Sequence, residues 1–144
     1  MRNILIIIMF ALPTIAFGQK SMNINKLFDG RYRGNKQVTE TLVKGKKMEA
    51  FDLDIYHSLA IADASQVAEV ERLVLEDAKK ADQKEVSYIG QKLYYGFYCF
   101  NGSTLHPFRY IFYLNKMLKG GKEVVVIYMD GCANMQQVRK MLKK

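Results

Sequence analysis

Apolar and polar positions follow three rhythms along this chain, and each rhythm predicts a different kind of element. From Ile4 to Leu12 the apolar run is unbroken, with Arg2 before it, Pro13 after it, and Ala16-Phe17-Gly18 placing small residues on either side of one variable position. A basic start, a short apolar stretch and a small-x-small ending are the marks of a secretory signal peptide. The run is about half of the ~20 residues that a membrane-spanning helix needs, and no second long apolar segment follows. The sequence therefore predicts cleavage near Gly18, a mature chain that starts at Gln19, and no transmembrane anchor. The signal carries no Cys for lipid attachment, which argues against a lipoprotein.

The second rhythm is helical. Ile24, Leu27 and Phe28 fall at i, i+3 and i+4 and predict a short N-terminal helix ended near Asp29-Gly30. Val67, Val70, Leu73, Val74 and Ala78 make one stripe between Gln66 and about Ala81, with Asp63 or Ser65 placed to cap it. Glu69, Glu71, Arg72, Glu76 and Lys79 are expected to face outward. A last helix is predicted from Asn134 to Leu142, with Met135, Val138 and Leu142 on its apolar side. Arg139, Lys140, Lys143 and Lys144 lie toward its C-terminal end, where cations suit the helix dipole.

The third rhythm has the period of two that strands require. Val38 to Val43 and Phe51 to Ile61 are joined through the turn Lys44-Gly45-Lys46-Lys47, which predicts a hairpin or something close to it. Phe51, Leu53, Ile55, His57, Leu59 and Ile61 are expected on one side of the second strand. Four more strands follow at Glu85 to Ile89, Lys92 to Phe100, Phe108 to Leu114 and Glu123 to Met129. Gly90-Gln91, Asn101-Gly102-Ser103 and Gly120-Gly121 separate them, links too short for a crossover helix, so these strands should form an antiparallel meander. The predicted fold class is α+β: an antiparallel sheet of five to six strands, two later helices packed on one face, and a short N-terminal helix. Taking residues 1–18 from the 144 leaves 126, enough for the single domain predicted over 19–144.

Charge narrows the partners only slightly. Lys and Arg number 22 against 14 Asp and Glu, a net +8, or +7 once Arg2 is removed with the signal. That excess favours anionic envelope lipid or glycan, and it serves solubility equally well. Export argues against nucleic acid. The cations lie in separate clusters: Arg31, Arg33 and Lys36; Lys44, Lys46 and Lys47; Lys116, Lys119 and Lys122; and the C-terminal lysines. Their convergence would make an anion-binding rim.

Candidate chemistry is sparse. Cys99 and Cys132 would pin the last helix to the sheet if they formed a disulfide, but a buried free Cys99 and a thiol at a helix start are the alternatives, and spacing does not choose among them. His57 and His106 have no ligand partner at a recognised spacing, and Asp52 with Asp54 reads as a solvated strand face, so neither metal nor cofactor is expected. Aromatics are dense. In one strand Leu93, Tyr95, Phe97 and Cys99 should oppose Tyr94, Tyr98 and Phe100; in the next, Phe108, Tyr110, Phe112 and Leu114 should oppose Ile111 and Tyr113. Core packing accounts for such a pattern. The functional alternative is a Tyr-lined surface at Tyr94, Tyr98 and Tyr113 that holds a protein or glycan partner, or a second copy of the chain as a homodimer.

Several pieces recur as a set: the signal ending Ala16-Phe17-Gly18-Gln19, the start Asn25-Lys26-Leu27-Phe28-Asp29, Val38-Thr39, the strand Arg109-Tyr110-Ile111-Phe112-Tyr113-Leu114-Asn115, the turn Leu118-Lys119-Gly120-Gly121, and Ile127-Tyr128-Met129-Asp130-Gly131. In that order they resemble a small family of exported domain-of-unknown-function proteins of Bacteroidota, over nearly the whole mature chain. The resemblance implies a Gram-negative periplasm and carries over no catalytic residue. Three functions stay open on the sequence: a non-enzymatic binding or scaffold domain, a binder of anionic envelope lipid or glycan, and an enzyme of unrecognised type.

Overall fold

The computed structural model describes residues 21–102, 104–105 and 107–143. The predicted signal peptide and His106 lie outside the described residues. Six antiparallel strands form one sheet: β1 (Val38–Lys44), β2 (Leu53–Ile61), β3 (Gln83–Ile89), β4 (Lys92–Asn101), β5 (Phe108–Asn115) and β6 (Val124–Gly131). Their order is β1-β2-β6-β5-β4-β3. β1 and β2 pair as predicted, from Val38 opposite Ile61 to Lys44 opposite Ile55, and β3 to β6 form the predicted meander. β6 then closes the sheet by entering between β5 and β2. Its Val124-Val125-Val126-Ile127-Tyr128-Met129 run suits that central place, since a strand covered on both faces needs apolar side chains in both phases.

Three α-helices join the strands: α1 (Lys46–Glu49), α2 (Val67–Ala78) and α3 (Met135–Leu142); a 3-10 helix spans Asn23–Leu27. α2 is the crossover from β2 to β3, which run the same way with three strands between them. Twelve residues span ~18 Å, close to the ~19 Å of four inter-strand spacings, so α2 lies across nearly the whole sheet. Expected on one face, the two later helices occupy opposite ones. Val70, Leu73 and Val74 pack with Ile24, Leu27, Leu59, Ile61, Tyr98, Ile111, Tyr113 and Tyr128. Val138 of α3 packs with Met48 of α1 and with Phe97, Tyr110, Ile127 and Met129 on the other side. Period-two alternation makes both faces apolar, and once α2 has covered one, the last helix is drawn to the other.

Two strand phases also differ from the expected ones, for one reason. The ladder slips between Leu53 and Ile55 and again between Ser87 and Tyr88. An extra residue reverses the side-chain phase beyond it. Leu53 therefore joins the α3 side while Ile55 joins the α2 side, and Leu93 joins the α2 side while Tyr95, Phe97 and Cys99 face α3. Of the turn expected at Lys44 to Lys47, Lys44 ends β1 and Gly45 makes the turn, while Lys46 and Lys47 begin α1, which carries Met48 onto the sheet.

The N-terminal segment is held by charge as well as by burial. Asp77, near the end of α2, accepts the backbone N–H of Asn23 at 2.7 Å and of Ile24 at 2.8 Å, which satisfies the first donors of the 3-10 helix. His57 lies buried against Phe28, ring centroids 4.2 Å apart, with its Nε2 2.6 Å from Glu40 Oε2. Glu71 is not the free outward residue that its helical phase predicts: its carboxylate accepts the Leu93 N–H at 3.3 Å, where the bulge leaves the ladder irregular. The Tyr98 ring folds back over Gly96, where a Cβ would come within 2.6 Å of the phenol oxygen.

Four tyrosines, Tyr98, Tyr110, Tyr113 and Tyr128, are at most 1% exposed. Burial pushes the Tyr98 phenol up to about 12 and raises the other three further. A phenol with a pKa raised by folding holds its proton more tightly in the native state. Below pH ~10 both states are protonated and these groups leave stability unchanged; above it the unfolded chain ionises first, and stability falls by ~1.4 kcal/mol per pH unit for each such group. Absorbance titration at alkaline pH should show these phenols ionising only together with loss of the near-ultraviolet circular dichroism. A single reversible step at the usual phenol range with native dichroism retained would contradict the burial.

Candidate functional site

The predicted binding tyrosines do not form a surface. Tyr98 and Tyr113 lie in the core beneath α2, because their strand phase is the one that α2 covers. Tyr94 alone is half-buried, with the Lys119 ammonium 4.6 Å from its ring centroid. Cys99 is buried and Cys132 exposed, and both are free, so no disulfide pins α3. Burial pushes the Cys99 thiol up. Among the described residues no group of three or more His, Cys, Asp or Glu is arranged to hold a metal.

What the structure assembles instead is a groove on the α3 face. α1 and α3 are four and eight residues long, ~6 and ~12 Å, and lie over a sheet ~24 Å across. Two helices this short leave part of the face uncovered, whereas α2 and the 3-10 helix close the opposite side. The floor is Val43 of β1, Tyr56 of β2, Val125 and Ile127 of β6, and Phe112 and Leu114 of β5. Met48 and Phe51 line one side, Met141 and Leu142 the other, and the volume is about 610 Å³. Phe51 is 41% exposed, a large apolar ring at the groove's edge.

Both walls are fixed at one junction. Asp52 adopts a left-handed backbone, φ 60°, which aims its carbonyl at the turn before α3, where it accepts the N–H of Cys132 at 3.0 Å and of Ala133 at 2.8 Å. The Tyr110 hydroxyl donates to the Ala133 carbonyl at 2.5 Å. Asn134 and Gln137 then form a reciprocal cap at the start of α3, and Arg139 pairs with Glu85 of β3. The segment after α1 and the start of α3 are thus tied to each other and to the sheet.

One lysine from each of two basic clusters, Lys47 and Lys116, lines the groove, and among the described residues lining it none is acidic. Lys116 also pairs with Glu123 at 3.2 Å, while Arg31 goes to the α2 side and meets Glu69 at 3.8 Å. Burial raises the Tyr56 phenol, with a bond to Ser58 opposing. The groove was hidden in the sequence because Met48 directly follows what reads as a lysine-rich turn. Its one signal was the apolar pair Met48 and Phe51, two large side chains close to a predicted surface turn.

The model of a family of unknown function, DUF6108, matches residues 11–142. The chain belongs to that family. DUF6108 membership covers all three helices and the full sheet, so groove and junction both fall inside the matched region. No curated protein and no solved structure matches the chain at a significant level.

Proposed function

We propose that the protein is an exported, non-enzymatic binding protein of the periplasm whose working surface is the groove on the α3 face. The observation that carries this reading is the groove itself: about 610 Å³, within the ~300–1,000 Å³ usual for small-molecule sites, and lined by aliphatic, aromatic and methionine side chains. Met48 and Met141 suit a site that adjusts to flexible apolar ligands, because an unbranched thioether repacks at low cost. The titratable groups lining it, among the described residues, are two lysines and Tyr56, a set that orients a ligand more readily than it transforms one. Export rests on the pattern of residues 1–18. Among the described residues no helix is long and apolar enough to cross a membrane.

Val125 stands half-buried on the groove floor. Val125→Arg should weaken binding of the neutral fluorescent probe N-phenyl-1-naphthylamine about tenfold or more, since a long cation fills the groove and leaves its floor polar. Circular dichroism and the melting temperature check that the variant is folded. Unchanged probe affinity in a folded variant would move the working surface elsewhere. Intact mass of the protein recovered from the periplasm tests export, with a chain starting at Gln19 expected and one retaining Arg2 contradicting it.

A further inference from the structure

The chemistry of the groove goes beyond apolarity, and it selects among apolar ligands. Of its floor strands, β2, β6 and β5 are each paired on both sides and offer side chains without spare backbone N–H or C=O, while β1 is an edge strand whose unpaired side points outward in the plane of the sheet rather than up from the floor. A peptide laid there would leave its own amide groups without partners, at a cost that an acyl chain, which has none, does not meet. The charged side chains among the lining residues are lysines, with Glu123 beside Lys116 just outside them. Lys47 and Lys116 line the groove without an acid among the lining residues, so an anionic end on the ligand is attracted and a cationic one repelled.

We propose that the groove holds a free fatty acid, its single acyl chain on the sheet floor and its carboxylate at the lysines Lys47 and Lys116. This rests on the groove being the working surface. Lys116 already shares its charge with Glu123, so Lys47 carries the larger part of the preference for a carboxylate. An ammonium is a compact point charge that suits a single carboxylate without needing the two-pronged geometry of arginine.

The test is displacement of N-phenyl-1-naphthylamine from the purified exported protein by dodecanoate, by 1-dodecanol and by dodecyl phosphate at low ionic strength. Dodecanoate should compete about tenfold more strongly than the alcohol of equal chain length, the effect of two exposed charge contacts. The preference should shrink as salt is raised, and Lys47→Gln combined with Lys116→Gln should bring dodecanoate to the affinity the same variant shows for dodecanol. Equal affinity of acid and alcohol in the unaltered protein, with the probe bound, overturns the fatty-acid assignment and leaves the groove reading standing. Stronger competition by dodecyl phosphate than by dodecanoate overturns it in favour of a phosphate-headed lipid. Failure of the probe and of all three amphiphiles to bind overturns the groove reading and this proposal together.

Discussion

Val70→Asp should unfold most of the population or lower the urea midpoint severely, with a loss of about 4 kcal/mol from a domain whose total stability is of the order of 5–15 kcal/mol. Val70 is fully buried in the stripe that α2 lays on the sheet, among Leu73, Val74 and the apolar residues of the opposite phase from Phe97. The described side chains clustered with it are apolar or tyrosine, and the aspartate must be buried charged or protonated at cost. Glu76→Ala is the matched control: Glu76 is exposed on the same helix, where it pairs with Lys79 at the surface, so its removal should leave the midpoint in place. Equal shifts for the two variants would mean that the helical phase is wrong. Glu71→Ala should fall between them, because it leaves the Leu93 N–H without its acceptor.

Gly131→Ala should be nearly as damaging, by about 3 kcal/mol or more, though it adds one methyl group. Gly131 has φ 151°, and a Cβ there would lie 2.6 Å from Leu53 Cα and 2.9 Å from the Asp52 carbonyl oxygen. Both contacts are backbone, and neither side can yield easily: β6 is paired on both edges, and that same carbonyl holds the N–H groups of Cys132 and Ala133. Relief would have to come from opening the junction between β2 and the start of α3. Since both groove walls hang from that junction, the residual folded protein should also bind the neutral probe more weakly. Chemical denaturation and probe titration on one sample separate the two effects, and native stability in the variant would show the approach of β2 and β6 to be looser than described.

The strands and the long helix were legible because their signals are local. The stripe from Val67 to Ala78 needs only the 3.6-residue period, and the meander from β3 to β6 follows from short links between alternating runs. What escaped depends on residues far apart in the chain. No local pattern shows that β6 lies beside β2, and the bulges near Asp54 and Tyr94 silently reverse the phase of everything after them. Nor does any local pattern show which face of the meander α2 covers, so Tyr98 and Tyr113 read as candidates for a surface although they lie beneath it. The groove is harder still to foresee, because it exists by shortfall: α1 and α3 are too short to cover a sheet of six strands, and a helix of four residues at Lys46–Glu49 has too few turns to leave a periodic trace.

The central claim is that ligands meet this protein in the groove of the α3 face, and methyl and aromatic chemical shifts followed by nuclear magnetic resonance during titration with N-phenyl-1-naphthylamine test it most directly. If the claim holds, the largest changes fall on Val43, Tyr56, Phe112, Val125, Ile127 and Met141, which line the groove, while Val86 and Tyr88 on the exposed edge strand β3 stay in place. Changes centred on Val86, Tyr88 and Tyr94, with the groove residues unmoved, would contradict it.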